Sequence, residues 1–279
     1  MSTDDGDPVR RALAHVAARS TDGALDCDVR VTLNFHPELV VPALVSGKRY
    51  RSQFETGTSN GGLTAYPGGD RWRWESRIFG GAYDEVEPHL RPVYGSLNMH
   101  DDDVGASPRF GSAHLRLSVA VLTRTTFCFP DSVFEPAAFG VAGRMGAIIA
   151  ALAPDGAEAL DALEDPLNDY VEAHVHGPVR MDADVEALVL DPCYRGTLVE
   201  HAADALPFPT EWHRGFRLGA DKLRRHEEYR GREYVELGLT LARDGHLDGR
   251  IIGEARATGA YDPQALKRVW HYVARYGRP

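Results

Sequence analysis

The chain has 279 residues, of which 43% are apolar and 26% charged, so it holds enough apolar material for a buried core and lacks the composition of a disordered segment. Its 41 acidic residues outnumber its 31 lysines and arginines, which gives a formal net charge of −10. A protein that neutralises phosphates over a broad surface needs the opposite balance, so nucleic acid is excluded as a partner, although a local basic pocket is not.

The cysteines, the basic residues and the N-terminus indicate where the protein works. Cys27, Cys128 and Cys193 are odd in number and far apart, which predicts neither a disulfide framework nor a CxxC metal site. Only 3 basic residues are lysines, a bias typical of a GC-rich bacterial genome; selection against ubiquitination in a eukaryotic cell is the alternative. The N-terminus has no apolar signal region, and the longest apolar stretch, 145–153, is too short to cross a bilayer. We expect a soluble protein with no membrane partner, in the bacterial cytoplasm or exported by a signal-peptide-independent route.

The first part of the chain predicts one helix, one strand and a long irregular region. An aspartate–proline pair precedes apolar residues at helical spacing, which predicts a helix over 8–19. Alternating apolar residues predict a strand over 29–35 that Pro37 terminates, with His36 at its carboxyl end. Residues 50–111 carry many glycines between short apolar pieces, which indicates backbone wrapped closely around another group.

The remaining elements follow from the same two periodicities. Apolar alternation predicts strands over 114–122, 125–129, 171–176 and 185–190. Helical spacing predicts helices over 136–163, 233–243, 248–258 and 263–276. The Asp-Gly pairs at 244 and 248 leave a hairpin open as an alternative for that region.

The strand over 171–176 carries the most informative polar residues. Side chains two apart on a strand share a face, so Glu172, His174 and His176 point the same way. One interpretation is a solvent-facing strand of a half-buried sheet. The other is a carboxylate and two imidazoles placed for proton or ribose chemistry, or for metal binding.

The segment YRSQFETGTSNGGL at 50–63 is rich in glycine and hydroxyl groups. Its backbone N–H groups are suited to a carbonyl or phosphate, although an ordinary surface loop is an equal alternative. The segment matches neither the Rossmann nor the Walker pattern, so neither of those sites is indicated.

Two charged segments favour structural roles. The acidic run at 100–103 is more typical of a solvated turn than of a cation site. The arginine-rich run at 223–233 mixes both signs of charge at helical spacing, which is typical of an exposed, ion-paired helix face.

Seven motifs give the chain a resemblance, nearly end to end, to a bacterial domain family of unknown function that includes secreted effectors. Those effectors transfer one ADP-ribose from NAD to a threonine of ubiquitin. The motifs are VTLNFHPE, YRSQFETGTSNGGL, RPVYGSLN, PRFGSAHLRL, YVEAHVHGPV, ALVLDPCYRGT and DPQALKRVWHYVARYG. The resemblance implies a mono-ADP-ribosyltransferase that takes NAD as its substrate, releases nicotinamide, and needs no metal.

The resemblance also implies roles for individual residues. Glu172 falls at the position of the catalytic glutamate. His174 is a candidate to accept the acceptor's proton because it lies two residues further on, on the same face of the strand. His36 resembles the anchor for the adenosine ribose, and Tyr94 the ring that stacks on nicotinamide. Whether the chain follows the His-Tyr-Glu or the Arg-Ser-Glu pattern stays open, because Ser112 fits the serine of the second. The implied NAD-binding set is His36, Phe54, Thr56, Gly57, Ser59, Asn60, Gly61, Tyr94, Gly95, Phe110 and Ser112.

One position in the resemblance bears on the chemical type of the acceptor side chain. Transferases that modify arginine carry a second glutamate two residues before the catalytic one, where this chain has Tyr170. A guanidinium acceptor is therefore disfavoured. The resemblance implies a threonine hydroxyl, with ubiquitin as the protein acceptor.

We expect an α+β fold, because the short irregular strands show no βαβ alternation. The resemblance makes this an ADP-ribosyltransferase-like core of two packed short-stranded sheets, with helices at both ends. The predicted divisions are a helical segment at 1–29, the core at 30–200 and a helical C-terminal lobe at 201–279 that contributes to acceptor recognition.

Two other functions compete with the transferase. His174 and His176 with a carboxylate would suit a metal-dependent hydrolase or a cupin-like enzyme. The helices over 233–276 would suit a non-catalytic protein that binds a partner.

Overall fold

The structure, a computed structural model, describes residues 6–24, 28–57, 65–153 and 165–278. It is a mixed α+β protein built on one eight-stranded sheet. Among the strand pairs of the described residues, only the edge pair of β10 and β9 is parallel. The sheet strands, in spatial order, are β10 (Thr210–Trp212), β9 (Val185–Leu190), β4 (Ala113–Leu117), β1 (Arg30–Phe35), β3 (Val93–Asn98), β7 (Val171–Val175), β5 (Thr125–Phe129) and β6 (Ala138–Val141).

The prediction of two packed sheets is wrong, although the α+β class is confirmed. The strands join through hydrogen bonds into a single sheet, and the other described strands form two small pairs. These pairs are β2 (Arg49–Tyr50) with β8 (Val179–Arg180), and β11 (Leu218–Gly219) with β12 (His246–Leu247). Periodicity predicts that a strand forms and which of its faces is apolar, but it does not specify the partner of each strand.

Helices flank the sheet and supply much of its cover. Their bounds are α1 (Pro8–Ala17), α2 (Pro37–Ser46), α3 (Gln53–Thr56), α4 (Asp70–Ile78), α5 (Gly146–Leu152), α6 (Leu198–Ala203), α7 (Ala220–Arg224), α8 (Arg232–Leu241), α9 (Gly249–Ala257) and α10 (Pro263–Tyr276). The predicted caps of α1 and α10 are present, because the side chains of Asp7 and Asp262 accept backbone N–H groups of the first turn. Within the described residues, no helix is both long enough and apolar enough to cross a membrane.

Several predicted bounds differ from the structure. Pro37 ends β1 as expected but also begins α2, because its fixed backbone angle suits a first helical turn. The strand predicted over 114–122 ends at Leu117, and Val119–Arg124 forms a 3₁₀ helix. The helix predicted over 136–163 is the strand β6 followed by α5, and 154–164 lies outside the described residues.

The C-terminal region combines the predicted helices with a short version of the alternative hairpin. Asp244 and Gly245 both have positive φ, at 48° and 75°, and form the turn between α8 and β12. Arg243 and His246 then pair as an antiparallel bridge. The helices here pack around Trp270, whose indole N–H donates to the carbonyl of Pro108 at 2.8 Å, so α10 is tied to the region in front of the sheet.

His36 and His114 are two of the buried histidines, and both remain neutral. Burial, followed by the positive charges of Arg256 and Lys267, lowers the pKa of His36 to about 3. Burial also lowers the pKa of His114 to about 3. Nearby His213 and Arg116 lower the pKa of His114 further, and Asp103 opposes them.

Stability is therefore expected to fall in mild acid. In the unfolded chain both imidazoles titrate near their ordinary pKa of 6.5, so below that pH the unfolded state binds more protons than the folded state. The free energy of unfolding, measured by urea titration, should be greatest above about pH 6.5. It should fall towards pH 3 by about 1.4 kcal/mol per pH unit for each histidine. Substituting His114→Gln should reduce this slope; an unchanged slope would contradict the assignment.

Candidate functional site

A cavity of about 450 Å³ opens over the middle of the sheet. The strand register explains its position, because Thr32, Ser96, Glu172 and Cys128 are successive partners across β1, β3, β7 and β5. This row places polar side chains of four strands on one face. The predicted residues that line the cavity are His36, Thr56, Tyr94, Gly95, Phe110 and Glu172.

Glu172 lies in the third of these strands and is only 6% exposed. Its Oε1 atom is 2.8 Å from Nε2 of His174 and accepts the backbone N–H of Ser132 at 3.3 Å. Burial opposes ionisation of this carboxyl group, but the hydrogen bond and charge of His174, with the charge of Arg71, lower its pKa. Glu172 is thus a fixed carboxylate that faces the cavity in its ionised form.

His174 lies beneath Glu172; its side chain is fully buried and is not among the residues that line the cavity. Its Nδ1 atom is 3.1 Å from the hydroxyl of Thr126, which is also 3.0 Å from Nε2 of His176. The other ring nitrogen of His176 is 2.8 Å from the hydroxyl of Tyr83. The result is a buried chain of hydrogen bonds that fixes the orientation of the Glu172 carboxylate.

These contacts bear on two of the earlier interpretations. The polar face of β7 is not solvent-facing, because Phe79 packs edge-on against both His174 and His176, at 5.2 and 5.1 Å between ring centroids. Both nitrogens of His176 already have partners, so the pair of His174 and His176 is not arranged as a metal chelate. The metal hypothesis in its predicted form therefore lacks geometric support.

Tyr94 lies on the neighbouring strand, with Arg71 over its ring at 4.3 Å and the edge of His174 at 5.0 Å. Its hydroxyl donates to Oε1 of Glu75 at 3.0 Å. Glu75 in turn accepts from Arg91 at 2.6 Å, and both of these side chains are almost fully buried. A buried ion pair therefore holds the ring of Tyr94 in place at the cavity wall.

Cations dominate the charged lining of the cavity. They are Arg49, Arg51, Arg71, Arg109, Arg256 and Lys267, against the two acids Asp131 and Glu172. Burial, followed by the charges of Arg109 and other nearby arginines, lowers the pKa of Lys267 to about 8. In a chain with a net charge of −10, this concentration of positive charge makes the cavity electrostatically complementary to an anion.

Asp131 is a cavity residue that sequence reasoning missed. It follows β5, caps the turn Ser132–Phe134 by accepting the N–H of Val133 at 3.0 Å, and accepts the hydroxyl of Tyr170. Burial and the nearby charge of Glu172 raise the pKa of Asp131. The turn therefore carries the carboxyl group of Asp131 and donates the backbone N–H of Ser132 to the carboxylate of Glu172. No local sequence signal pairs these two acids.

Some predicted NAD-binding residues lie away from the cavity lining. The ring of Phe54 packs under Arg91 at 4.1 Å, and Gly57 ends α3 with φ of 62°. Ser112 is fully buried, and a Cβ added at Gly249 would lie 2.7 Å from its hydroxyl oxygen. The remaining three, Ser59, Asn60 and Gly61, lie outside the described residues.

The two charged segments form surface ion pairs. Asp103 pairs with Arg214 at 2.9 Å, and Asp102 pairs with Arg278 at 2.8 Å, which agrees with a structural turn. The predicted helix face over 223–233 is wrong in part, because residues 225–230 form turns between α7 and α8. Arg224, at the end of α7, pairs with Asp221 at 2.6 Å. The two pairs made by Asp102 and Asp103 tie the 100–103 turn to the C-terminal region.

The fold and cavity define an α+β protein with a buried carboxylate in a cavity whose charged lining is mostly cationic. Residues 30–163 and 156–276 match a family described as a protein of unknown function (DUF3626), and the chain belongs to that family. No curated protein matches the chain.

Proposed function

We propose that this protein is a mono-ADP-ribosyltransferase that takes NAD as donor and a protein hydroxyl, a threonine of ubiquitin, as acceptor. The observation that carries the proposal is Glu172, an ionised carboxylate fixed in a cavity whose other charged lining is mostly cationic. NAD has a glycosidic bond that breaks through a cationic transition state, and it also carries an anionic diphosphate. The cavity offers groups complementary to both.

The chemistry assigns the main role to Glu172. As the bond between C1′ of the ribose and the nicotinamide nitrogen breaks, nicotinamide leaves with the electron pair and C1′ becomes oxocarbenium-like. A carboxylate fixed at the ribose 2′-hydroxyl stabilises charge that exists mainly in the transition state. His174 is a positioning residue in this scheme, because it contacts Glu172 and not the cavity.

Asp131 is a second acid in the cavity, but it does not occupy the position of the second glutamate of arginine-modifying transferases. That position is Tyr170, whose phenol hydroxyl donates to Asp131. In our scheme the acceptor oxygen attacks C1′ and its proton passes to the carboxylate of Asp131. This role, which was first expected of His174, falls to Asp131 because Asp131 lines the cavity.

The C-terminal helices complete the cavity in this proposal. α9 provides Arg256 and α10 provides Lys267, both in the lining, so this part of the chain belongs to the donor site as well as to any acceptor surface. The diphosphate is expected to lie against these two residues and Arg109.

The direct test is incubation of the purified protein with NAD, ubiquitin and a bacterial or eukaryotic lysate. We expect release of nicotinamide and one ADP-ribose per acceptor on a hydroxyl side chain, located by mass spectrometry. Modification of other proteins but not ubiquitin would support the transferase activity and contradict ubiquitin as the acceptor. Absence of both nicotinamide release and labelling would overturn the proposal.

Lys267 gives a test of the donor site that needs no turnover. Lys267→Gln should weaken NAD binding about 10-fold or more, since it removes one charge-assisted contact to the diphosphate. Because the pKa of Lys267 is about 8, affinity of the unchanged protein should fall as pH rises from 7 to 9 and the ammonium loses its proton. Calorimetry measures both effects. Lys222→Gln, at an exposed position of α7, is the control, and equal affinity in the two variants would contradict the assignment.

A further inference from the structure

Three buried side chains of different chemistry converge beside the cavity. The Sγ atom of Cys128 is 3.8 Å from Oε1 of Glu172 and 4.0 Å from Nε2 of His174, and the last two atoms are 2.8 Å apart. Cys128 and Glu172 are direct partners across β5 and β7, so the backbone itself holds them together. A thiol, a carboxylate and an imidazole within one small volume are the ligands that zinc takes in proteins.

The distances are close to those of a metal site. Zinc bonds of about 2.3 Å to sulfur and about 2.0 to 2.2 Å to nitrogen or oxygen, at tetrahedral angles, separate sulfur from the other ligands by about 3.6 Å. They separate nitrogen from oxygen by about 3.4 Å. The observed separations of 3.8, 4.0 and 2.8 Å differ from these by roughly half an ångström, which side-chain rotation accommodates.

The surroundings of His174 have the pattern of a metal ligand. Its Nδ1 atom is fixed by Thr126 at 3.1 Å, which directs Nε2 towards Glu172 and Cys128. Metal-binding histidines are held in this way by a hydrogen bond at their other nitrogen. Since Glu172 lines the cavity, a fourth position would open towards it.

We propose that Cys128, Glu172 and His174 form a zinc-binding site, and that zinc there inhibits the protein by occupying the carboxylate of Glu172. The site stands on its own geometry, whereas the inhibition rests on the proposed transferase function. On ionisation of the thiol, its proton passes to solvent and the sulfur bonds to the metal. This site differs from the predicted pair of His174 and His176, since it replaces His176 by Cys128.

Cobalt(II) tests the site because a bound thiolate gives cobalt an intense near-ultraviolet charge-transfer absorption. Titration of the metal-free protein, without thiol reductants, should give this absorption with an endpoint at one equivalent, and added zinc should displace it. Cys128→Ser should abolish the absorption and weaken zinc binding at least about 10-fold. Cys193→Ser, at the other described free cysteine, should retain both. Absorption that persists in Cys128→Ser, or that is absent from the unchanged protein, would overturn the site.

Inhibition is measured separately from binding. Stoichiometric zinc should suppress nicotinamide release by the unchanged protein, and Thr126→Val, which loosens His174 without removing a ligand, should need about 10-fold more zinc. Cobalt binding without any NAD turnover would refute the transferase and leave the metal site intact. Turnover that is insensitive to bound zinc would refute the inhibition alone.

Discussion

Replacing Glu172 by glutamine is expected to reduce the rate of ADP-ribose transfer at saturating NAD by about 10²- to 10³-fold, or roughly 3 to 4 kcal/mol of transition-state stabilisation. The substitution keeps the shape of the side chain and removes the charge that faces the developing oxocarbenium ion. Affinity for NAD should change much less, because the ground state carries little of that positive charge at C1′. Steady-state rates and calorimetry separate the two effects.

The matched control is Glu135→Gln. Glu135 is a carboxylate in the connection between β5 and β6, and its side chain is 81% exposed. This substitution should leave both rate and affinity unchanged. Near-unchanged transfer by a folded Glu172→Gln protein would overturn the transferase assignment. A variant that loses NAD affinity and rate to the same extent would instead make Glu172 a ground-state binding residue.

Removal of the buried ion pair behind Tyr94 is expected to cost the most stability. Arg91→Met should lower the free energy of unfolding by about 3 to 5 kcal/mol, because it leaves the carboxyl group of Glu75 buried without its charged partner. It also removes the donor to the carbonyl of Tyr83, so a second buried acceptor loses its hydrogen bond. Urea unfolding at neutral pH gives the change.

Arg73→Met is the control, since Arg73 lies on the same helix as Glu75, is 68% exposed and pairs with the exposed Asp70. Its expected effect is within about 1 kcal/mol. Combining Arg91→Met with Glu75→Gln should recover part of the loss, because the remaining buried group is then neutral. A loss below about 1 kcal/mol for Arg91→Met would contradict the role assigned to the pair.

Local sequence signals predicted the elements that carry part of the site. Alternation with a period of two placed Glu172, His174 and His176 on one face, and their hydrogen bonds to one another and to Thr126 confirm it, although β7 itself ends at Val175. Pro37 placed His36 at the end of β1, where it lines the cavity. Capping residues located α1 and α10 almost to the residue. These features depend on backbone angles and neighbours a few positions apart, which a sequence states directly.

The tertiary structure decided the features that depend on distant parts of the chain. It placed β7 between β3 and β5, buried its polar face under Phe79, and set Asp131 beside Tyr170. It also gathered Arg71, Arg109, Arg256 and Lys267 from four separate segments around one cavity. Strand partners and side chains far apart in sequence meet because the packing of the whole core selects one arrangement of the sheet. Propensity and periodicity act only over a few residues. The sequence alone therefore determined several of the strands and helices and the strand face that carries Glu172, but not the strand partners or the cationic cavity around it.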